Sequence, residues 1–309
     1  MSQNNLANGF AAYKSDHAHY SIAQPQYRVI TSWFPVFTCI LTLMSFIAGY
    51  IIAVKNDDEE PWFSYISDGG TISPESCIFG VLLNFAVFFW LLTATAWHIQ
   101  LTQYMNFHHM YGCGWATARW TLYIAGIISG LGVSVVANFQ ETNVPAAHGF
   151  GAWFGFFGGL FYVWLFIIIS VIIKPKFAPN ILTFARGVLA MISTVALVMH
   201  MVAIEAAPFV KEDANGFKPP KPTAAPHYVV RLTPDDPWYV NHLVATIAEW
   251  ILGVTFEIFV LTFAYELNTM KITALKDDQL IEVVDSPELT NVKILDSTVG
   301  PLHTPWTTI

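Results

Sequence analysis

Three carboxylates lie in or beside long apolar runs, where an ionisable side chain is costly and usually has a function. They are Glu205, Glu249 and Glu257. Glu249 follows His242 by seven residues, about two helical turns, so these two side chains lie on one stripe of a helix. Glu257 is rotated from Glu249 by roughly 80° at 100° per residue. Glu249 and Glu257 therefore need not share a site.

Other polar residues lie next to helix ends on the same predicted side of the membrane. With Glu249 they form what we call the polar ring: Asp68, Glu75, Asn138, Glu141, His148, Glu205 and His242. Three interpretations of this ring are open, namely helix capping with interhelical hydrogen bonding, binding of a lipid headgroup or divalent cation, and acid–base catalysis. The zinc-helix spacing H-E-x-x-H is absent. The sequence thus leaves open whether the ring binds a metal.

Basic and imidazole side chains mark the opposite helix ends, where they could meet anionic lipid. They are His98, His108, His109, Arg119, Lys174, Lys176 and Arg186. For the adjacent pair His108 and His109, a solvated loop is the simpler interpretation. His200, within an apolar run, is predicted to be a hydrogen-bonded interior residue.

Membrane helices are the elements that must position these residues. The chain is 54% hydrophobic and 12% charged, whereas an average soluble domain has about a quarter of its residues charged. Runs of about 20 apolar residues cross a bilayer core. Six such runs predict an all-α polytopic membrane protein with six transmembrane helices in one bundle, at about 31–54, 77–97, 116–138, 149–173, 184–204 and 242–265.

The distribution of lysine and arginine orients the bundle. With a cytosolic amino terminus, nine of these residues lie on the cytosolic side and five on the outer side, which predicts that both termini are cytosolic. The chain then divides into a cytosolic segment 1–28, a six-helix domain 29–268 and a flexible cytosolic tail 269–309. The net charge of −8 argues against nucleic acid as a partner.

Glycines at intervals of four predict close helix packing, because small residues let membrane helices approach each other. Gly126 and Gly130 share one face of the third helix, and Gly151, Gly155 and Gly159 form a similar series on the fourth. Packing within one chain and a dimer face are both consistent with this pattern. The oligomeric state is not determined by it.

Three separated motifs resemble one known family. The segment Tyr65–Thr71, Tyr-Ile-Ser-Asp-Gly-Gly-Thr, resembles the signature between the first two spans of DRAM, the damage-regulated autophagy modulators. The segment 136–141 ahead of His148 resembles that family's boundary between spans three and four, and 242–250 resembles its last span. The resemblance covers about 28–271. A longer proline-rich loop between spans five and six and a longer tail depart from the family pattern.

The resemblance implies a multi-pass protein that promotes autophagy at the lysosomal or endosomal membrane, with the plasma membrane as the alternative location. Its partners would be membrane lipids and other membrane proteins. The wider group includes FRAG-type proteins of GPI-anchor remodelling and Sfk-type proteins of phosphoinositide synthesis. The first alternative is therefore a lipid-handling protein that uses Glu141, His148, His242 and Glu249. The second is an ion channel or transporter that uses Glu249 and Glu257.

Familiar catalytic motifs are absent from the sequence. It contains no phosphate-cradling Gly-Lys loop, nucleophile elbow, CxxC pair or dinucleotide fingerprint, so we expect neither an enzyme nor a bound cofactor. Cys39, Cys77 and Cys113 are too scattered for a disulfide framework. We interpret all three as free thiols.

Overall fold

A computed structural model describes residues 27–62, 64–176, 178–223, 225, 228–268 and 271–274. Most of the predicted segments 1–28 and 269–309 lies outside the described residues. Two short strands, β1 (Tyr27–Ile30) and β2 (Lys271–Ala274), pair as a two-stranded sheet. Strand β2 lies within the predicted tail 269–309, and four residues are too few for a strand pattern to be recognised from the sequence.

Within the part of the chain that the structure describes, six helices are long and apolar enough to cross a membrane, which confirms the prediction of an all-α six-helix bundle. They are α1 (Trp33–Lys55), α2 (Glu75–Phe107), α3 (Cys113–Asn138), α4 (Pro145–Ile172), α5 (Asn180–Glu205) and α6 (Tyr239–Leu267). The largest difference from prediction is in α2, which continues ten residues beyond Trp97. Polar residues there end the apolar run, but the segment contains no proline or glycine to end the helix.

The outward face of α1 is apolar and its inward face is small and polar. Its outward side chains are about half exposed in the isolated chain, as for Ile40, Met44, Ile47 and Ile51. Its buried residues include Thr38, Thr42, Ser45 and Gly49. This is the reverse of a helix in a soluble protein, and it is stable where hydrocarbon surrounds the bundle. The chain is therefore an integral membrane protein.

The six helices form a closed circle. Helices adjacent in sequence pack side by side, and α6 packs on α1 as well as on α5. Because they alternate in direction, α1, α3 and α5 all finish at one end, which we call the polar end. The other end, where α2, α4 and α6 finish, is the Arg186 end.

Helices α3 and α4 approach each other closely through glycines. A methyl group added at Gly132 would lie 2.6 Å from the backbone nitrogen of Gly155 and 2.8 Å from the backbone oxygen of Gly151. Gly132 was not among the predicted packing residues, whereas Gly151 and Gly155 were. Of the other predicted residues, Gly126 faces the ring of Tyr162 and Gly130 that of Trp90, while Gly159 lies against Phe256 and Ser129. These glycines therefore pack within one chain.

Substituting alanine for Gly132 should destabilise the protein by about 1–3 kcal/mol, because backbone atoms of α4 cannot move aside as a flexible side chain can. The measurement is the midpoint temperature of unfolding in detergent. Gly149→Ala is the matched control, because nothing lies within 4 Å of a methyl group added there and alanine favours a helix by up to about 1 kcal/mol. Equal midpoints for the two variants would contradict the close crossing.

Arg186 does not meet lipid headgroups, and this prediction was wrong. Its side chain is 0% exposed and pairs with Glu266 of α6 at 2.5 Å between Nη1 and Oε1. A second guanidinium nitrogen, Nη2, donates to Glu266 Oε2 at 2.8 Å, and Nε donates to Thr262 Oγ1 at 2.8 Å. Glu266 lies one residue beyond the predicted end of the sixth helix at Tyr265, so the sequence did not indicate this ion pair.

Candidate functional site

The loop 64–71 between α1 and α2 turns back into the polar end instead of extending into water. Its buried residues are Ser64, Ile66, Ser67, Asp68, Gly69, Gly70 and Thr71. The loop can lie this deep because a methyl group at Gly69 would come within 2.8 Å of the Gly49 backbone on α1. Glycine is thus required on both sides of this contact.

Helix α6 holds the first half of this loop by two hydrogen bonds. The Ile66 N–H donates to Glu249 Oε2 at 3.3 Å, and the Trp250 indole N–H donates to the Ser64 carbonyl at 3.0 Å. Glu249 is 6% exposed. The Glu249 side chain therefore accepts a hydrogen bond from the buried Ile66 N–H. A buried N–H without a partner would cost free energy.

The connection between α3 and α4 holds the second half of the loop. The Ser67 hydroxyl donates to Glu141 Oε2 at 2.9 Å. Within the loop, the Tyr65 N–H donates to Asp68 Oδ2 at 3.0 Å, which closes the turn. The loop thus connects α6, the α3–α4 connection and α1 at the polar end.

Two imidazoles flank the Tyr65 ring. The ring centroid of Tyr65 lies 5.1 Å from that of His242 and 6.0 Å from that of His200, both in edge-on contacts. The His200 Nδ1–H donates to the Ala245 carbonyl at 2.9 Å. This places the predicted interior residue His200 beside the loop, together with His242 of the polar ring.

Burial makes the carboxyl groups of this end hard to ionise. Burial, with the nearby charges of Glu141, Glu59 and Glu249, raises the pKa of Asp68 well above its ordinary value. The pKa of Glu59 rises to about 7, mainly because its side chain is buried. Burial and the Glu249 charge also raise the pKa of the Tyr65 hydroxyl. Glu59 and Asp68 therefore keep their protons to a higher pH, because several buried negative charges close together are unfavourable.

The structure brings together only part of the predicted polar ring. Asp68, Glu141, His242 and Glu249 all contact the loop or its turn, as described above. The remaining members lie apart, each with its own surroundings, and they are Glu75, Asn138, His148 and Glu205.

These four residues have separate local partners or face outward. Glu75 begins α2 and accepts a 3.5 Å hydrogen bond from Asn56. Asn138 donates to Asn84 at 3.1 Å. The His148 Nδ1–H donates to the Phe139 carbonyl at 2.7 Å, and Glu205 is exposed. Among the described residues none of the four is hydrogen-bonded to Asp68, although the charge of Glu75 helps to raise the pKa of Glu59.

Residues missed by the sequence analysis complete the loop site. Tyr65 and Ser67 were recognised only as part of a motif, and Glu59 was not among the predicted site residues. The sequence could have indicated Glu59 as a site residue, because it lies shortly before the segment Ser64–Gly70, Ser-Tyr-Ile-Ser-Asp-Gly-Gly. Among the described residues, no group of three His, Cys, Asp or Glu side chains is placed to bind a metal ion.

These features define a class: an integral membrane protein of six helices whose polar end is closed by a buried, carboxylate-anchored loop. The chain belongs to the Frag1/DRAM/Sfk1/Cwh43P family, whose N-terminal domain matches residues 30–270. That range includes all six helices and the loop. No solved structure matches the chain.

Curated relatives cover most of the chain. DNA damage-regulated autophagy modulator protein 2 of Mus musculus is 30% identical over 250 residues, which are 79% of this chain and 86% of the relative. DNA damage-regulated autophagy modulator protein 1 of Homo sapiens is 29% identical over 228 residues, 73% of this chain and 86% of the relative. The modulator of macroautophagy TMEM150B of Bos taurus is 35% identical over 111 residues, 35% of this chain and 43% of the relative.

Proposed function

We propose that this protein is a non-enzymatic membrane modulator of autophagy that acts at the lysosomal or endosomal membrane through lipid or protein partners. The observation that carries the proposal is the family match over 30–270, which includes both the bundle and the loop. DNA damage-regulated autophagy modulator proteins 1 and 2, whose names state a role in autophagy, each match over 86% of their own length. Both termini would face the cytosol, in line with the distribution of lysine and arginine.

The polar end is the surface that would engage a partner. The hydrogen bond from Ser67 to Glu141 is only partly buried, so another donor could compete for the carboxylate. The Glu141 carboxylate accepts hydrogen bonds without donating any. The partner would therefore present donors, as an ammonium-bearing lipid headgroup or a lysine or arginine side chain does.

Autophagic flux in cells lacking the protein tests this proposal. Flux is the turnover of lipidated LC3 with and without a lysosomal inhibitor. We expect deletion to reduce flux and the wild-type protein to restore it. Glu141→Gln expressed at equal level should restore about half or less, because a neutral amide loses the charge-assisted hydrogen bond.

Glu212→Gln is the matched control, since this residue is exposed in the connection between α5 and α6. It should restore flux as the wild-type protein does. Unchanged flux after deletion would refute the autophagy proposal. Full rescue by Glu141→Gln would show that the hydrogen bond between Ser67 and Glu141 is not needed for function. The proposed role in autophagy would still stand.

A further inference from the structure

A cavity of about 120 Å³ lies inside the circle of helices. Side chains of α1, α2, α3, α4 and α6 form its wall, which is mostly apolar. The Glu257 carboxyl group lines it, eight residues beyond Glu249 and so about 12 Å deeper along the helix axis. The cavity is therefore at membrane depth, apart from the loop site at the polar end.

One carboxyl oxygen of Glu257, Oε2, is buried and lacks a hydrogen-bond donor among the described residues. The Thr42 hydroxyl is close to this carboxyl group, but it donates to the Thr38 carbonyl at 2.9 Å. The Ser129 hydroxyl, also in the wall, donates to the Gly155 carbonyl at 3.1 Å. An acceptor left without a donor at this depth is costly.

The fourth helix changes its geometry at the cavity. Residues Phe154–Gly158 form a π-helical segment, and Gly155 and Phe156 of this segment line the cavity. Such widened turns occur often at functional sites. This feature is independent of the carboxyl group and points to the same place.

We propose that this cavity binds an uncharged lipid through a hydroxyl group that donates to Glu257. The apolar wall suits hydrocarbon, and the unused acceptor requires the ligand to bring the donor. A cavity of roughly 150 Å³ in another protein accommodates benzene, so this one takes the hydroxyl and the few carbons next to it. Because the cavity is partly open, the rest of the hydrocarbon chain extends out of it. A divalent cation is a poor alternative, since calcium needs six to eight oxygen ligands. The proposal does not depend on the role in autophagy.

Photolabelling of the purified full-length chain in detergent tests this site. The probe is a long-chain alcohol that carries a diazirine and an alkyne, and the labelled peptides are identified by mass spectrometry. We expect labels in 155–163 of α4 and 253–260 of α6. Unlabelled 1-hexadecanol should compete about tenfold better than its methyl ether, which lacks the donor. Labels confined to the outward helix faces, or equal competition by both compounds, would overturn the proposal.

Two variants test separately the contribution of the Glu257 carboxyl group and the contribution of the cavity volume. Glu257→Leu should weaken cavity labelling about tenfold and abolish the preference for the alcohol. Ala86→Leu narrows the cavity while keeping Glu257, and it should reduce labelling if the ligand occupies this space. Glu212→Gln should label as the wild-type protein does. If Glu257→Leu fails to give a single folded peak in size-exclusion chromatography, the alcohol–ether comparison in the wild-type protein and the Ala86→Leu result still test whether the ligand occupies the cavity through a hydroxyl group.

Discussion

Replacing Arg186 with methionine is expected to lower the midpoint temperature of unfolding by roughly 10 °C. The guanidinium is fully buried and donates two hydrogen bonds to Glu266. Its removal leaves the Glu266 carboxylate buried without this cation, and breaking one side of a buried pair costs about 3–5 kcal/mol. The measurement is the fraction of monodisperse protein that survives heating in detergent, determined by size-exclusion chromatography.

Arg231→Met is the matched control for this experiment. Arg231 pairs with Asp57 at the surface, where the two side chains are 38% and 90% exposed, and such pairs contribute about 1 kcal/mol or less. The double variant Arg186→Met with Glu266→Met should recover much of the loss, because it removes both buried charges. Equal losses for Arg186→Met and Arg231→Met would show that the buried pair has no special role.

The contribution of Glu59 to stability should fall as pH rises from about 5 to about 8, and Glu59→Gln should remove this contribution. The pKa of Glu59 is raised by burial from 4.5 to about 7. The folded state therefore binds a proton that the unfolded state has released between these values, so stability declines as pH rises through this window. The shift corresponds to roughly 3 kcal/mol as an upper limit.

Unfolding midpoints of both proteins at several pH values measure this effect. At pH 8, Glu59→Gln should be more stable than the wild-type protein, because the amide carries no charge to be buried. Part of the dependence should remain, since Asp68 also has a raised pKa and contributes with the same sign. Glu60→Gln is the control, as Glu60 is only partly buried. Parallel pH curves for the wild-type protein and Glu59→Gln would contradict the assignment.

The sequence was sufficient for the six helices because bilayer thickness fixes how many apolar residues a span needs. It was less informative about where a helix ends. Polar residues continue α2 beyond Trp97, and α6 runs past Tyr265 to include Glu266. The ends of α2 and α6 were predicted too early because hydropathy indicates only whether residues lie in lipid or in water. A helix continues until its backbone hydrogen bonding is interrupted.

The candidate site was only partly predictable, because helix ends alone do not show which side chains face one another. Of the residues placed at one membrane level, the structure brings Asp68, Glu141, His242 and Glu249 to the loop. The membrane level alone could not show that Asn138 pairs with Asn84 on the side of α2, or that a loop would fold back between the helices. That arrangement depends on the contact between Gly69 and Gly49, which are distant in sequence.

The last helix supplies the partners on which earlier parts of the chain depend. Glu249 accepts from the 64–71 loop, and Glu266 pairs with Arg186 of α5. The backbone carbonyls of Glu266 and Leu267 accept from the side chains of Gln100 and Thr31. During synthesis, these donors enter the membrane before their acceptors exist. The contacts that depend on α6 can therefore form only after translation has passed residue 267.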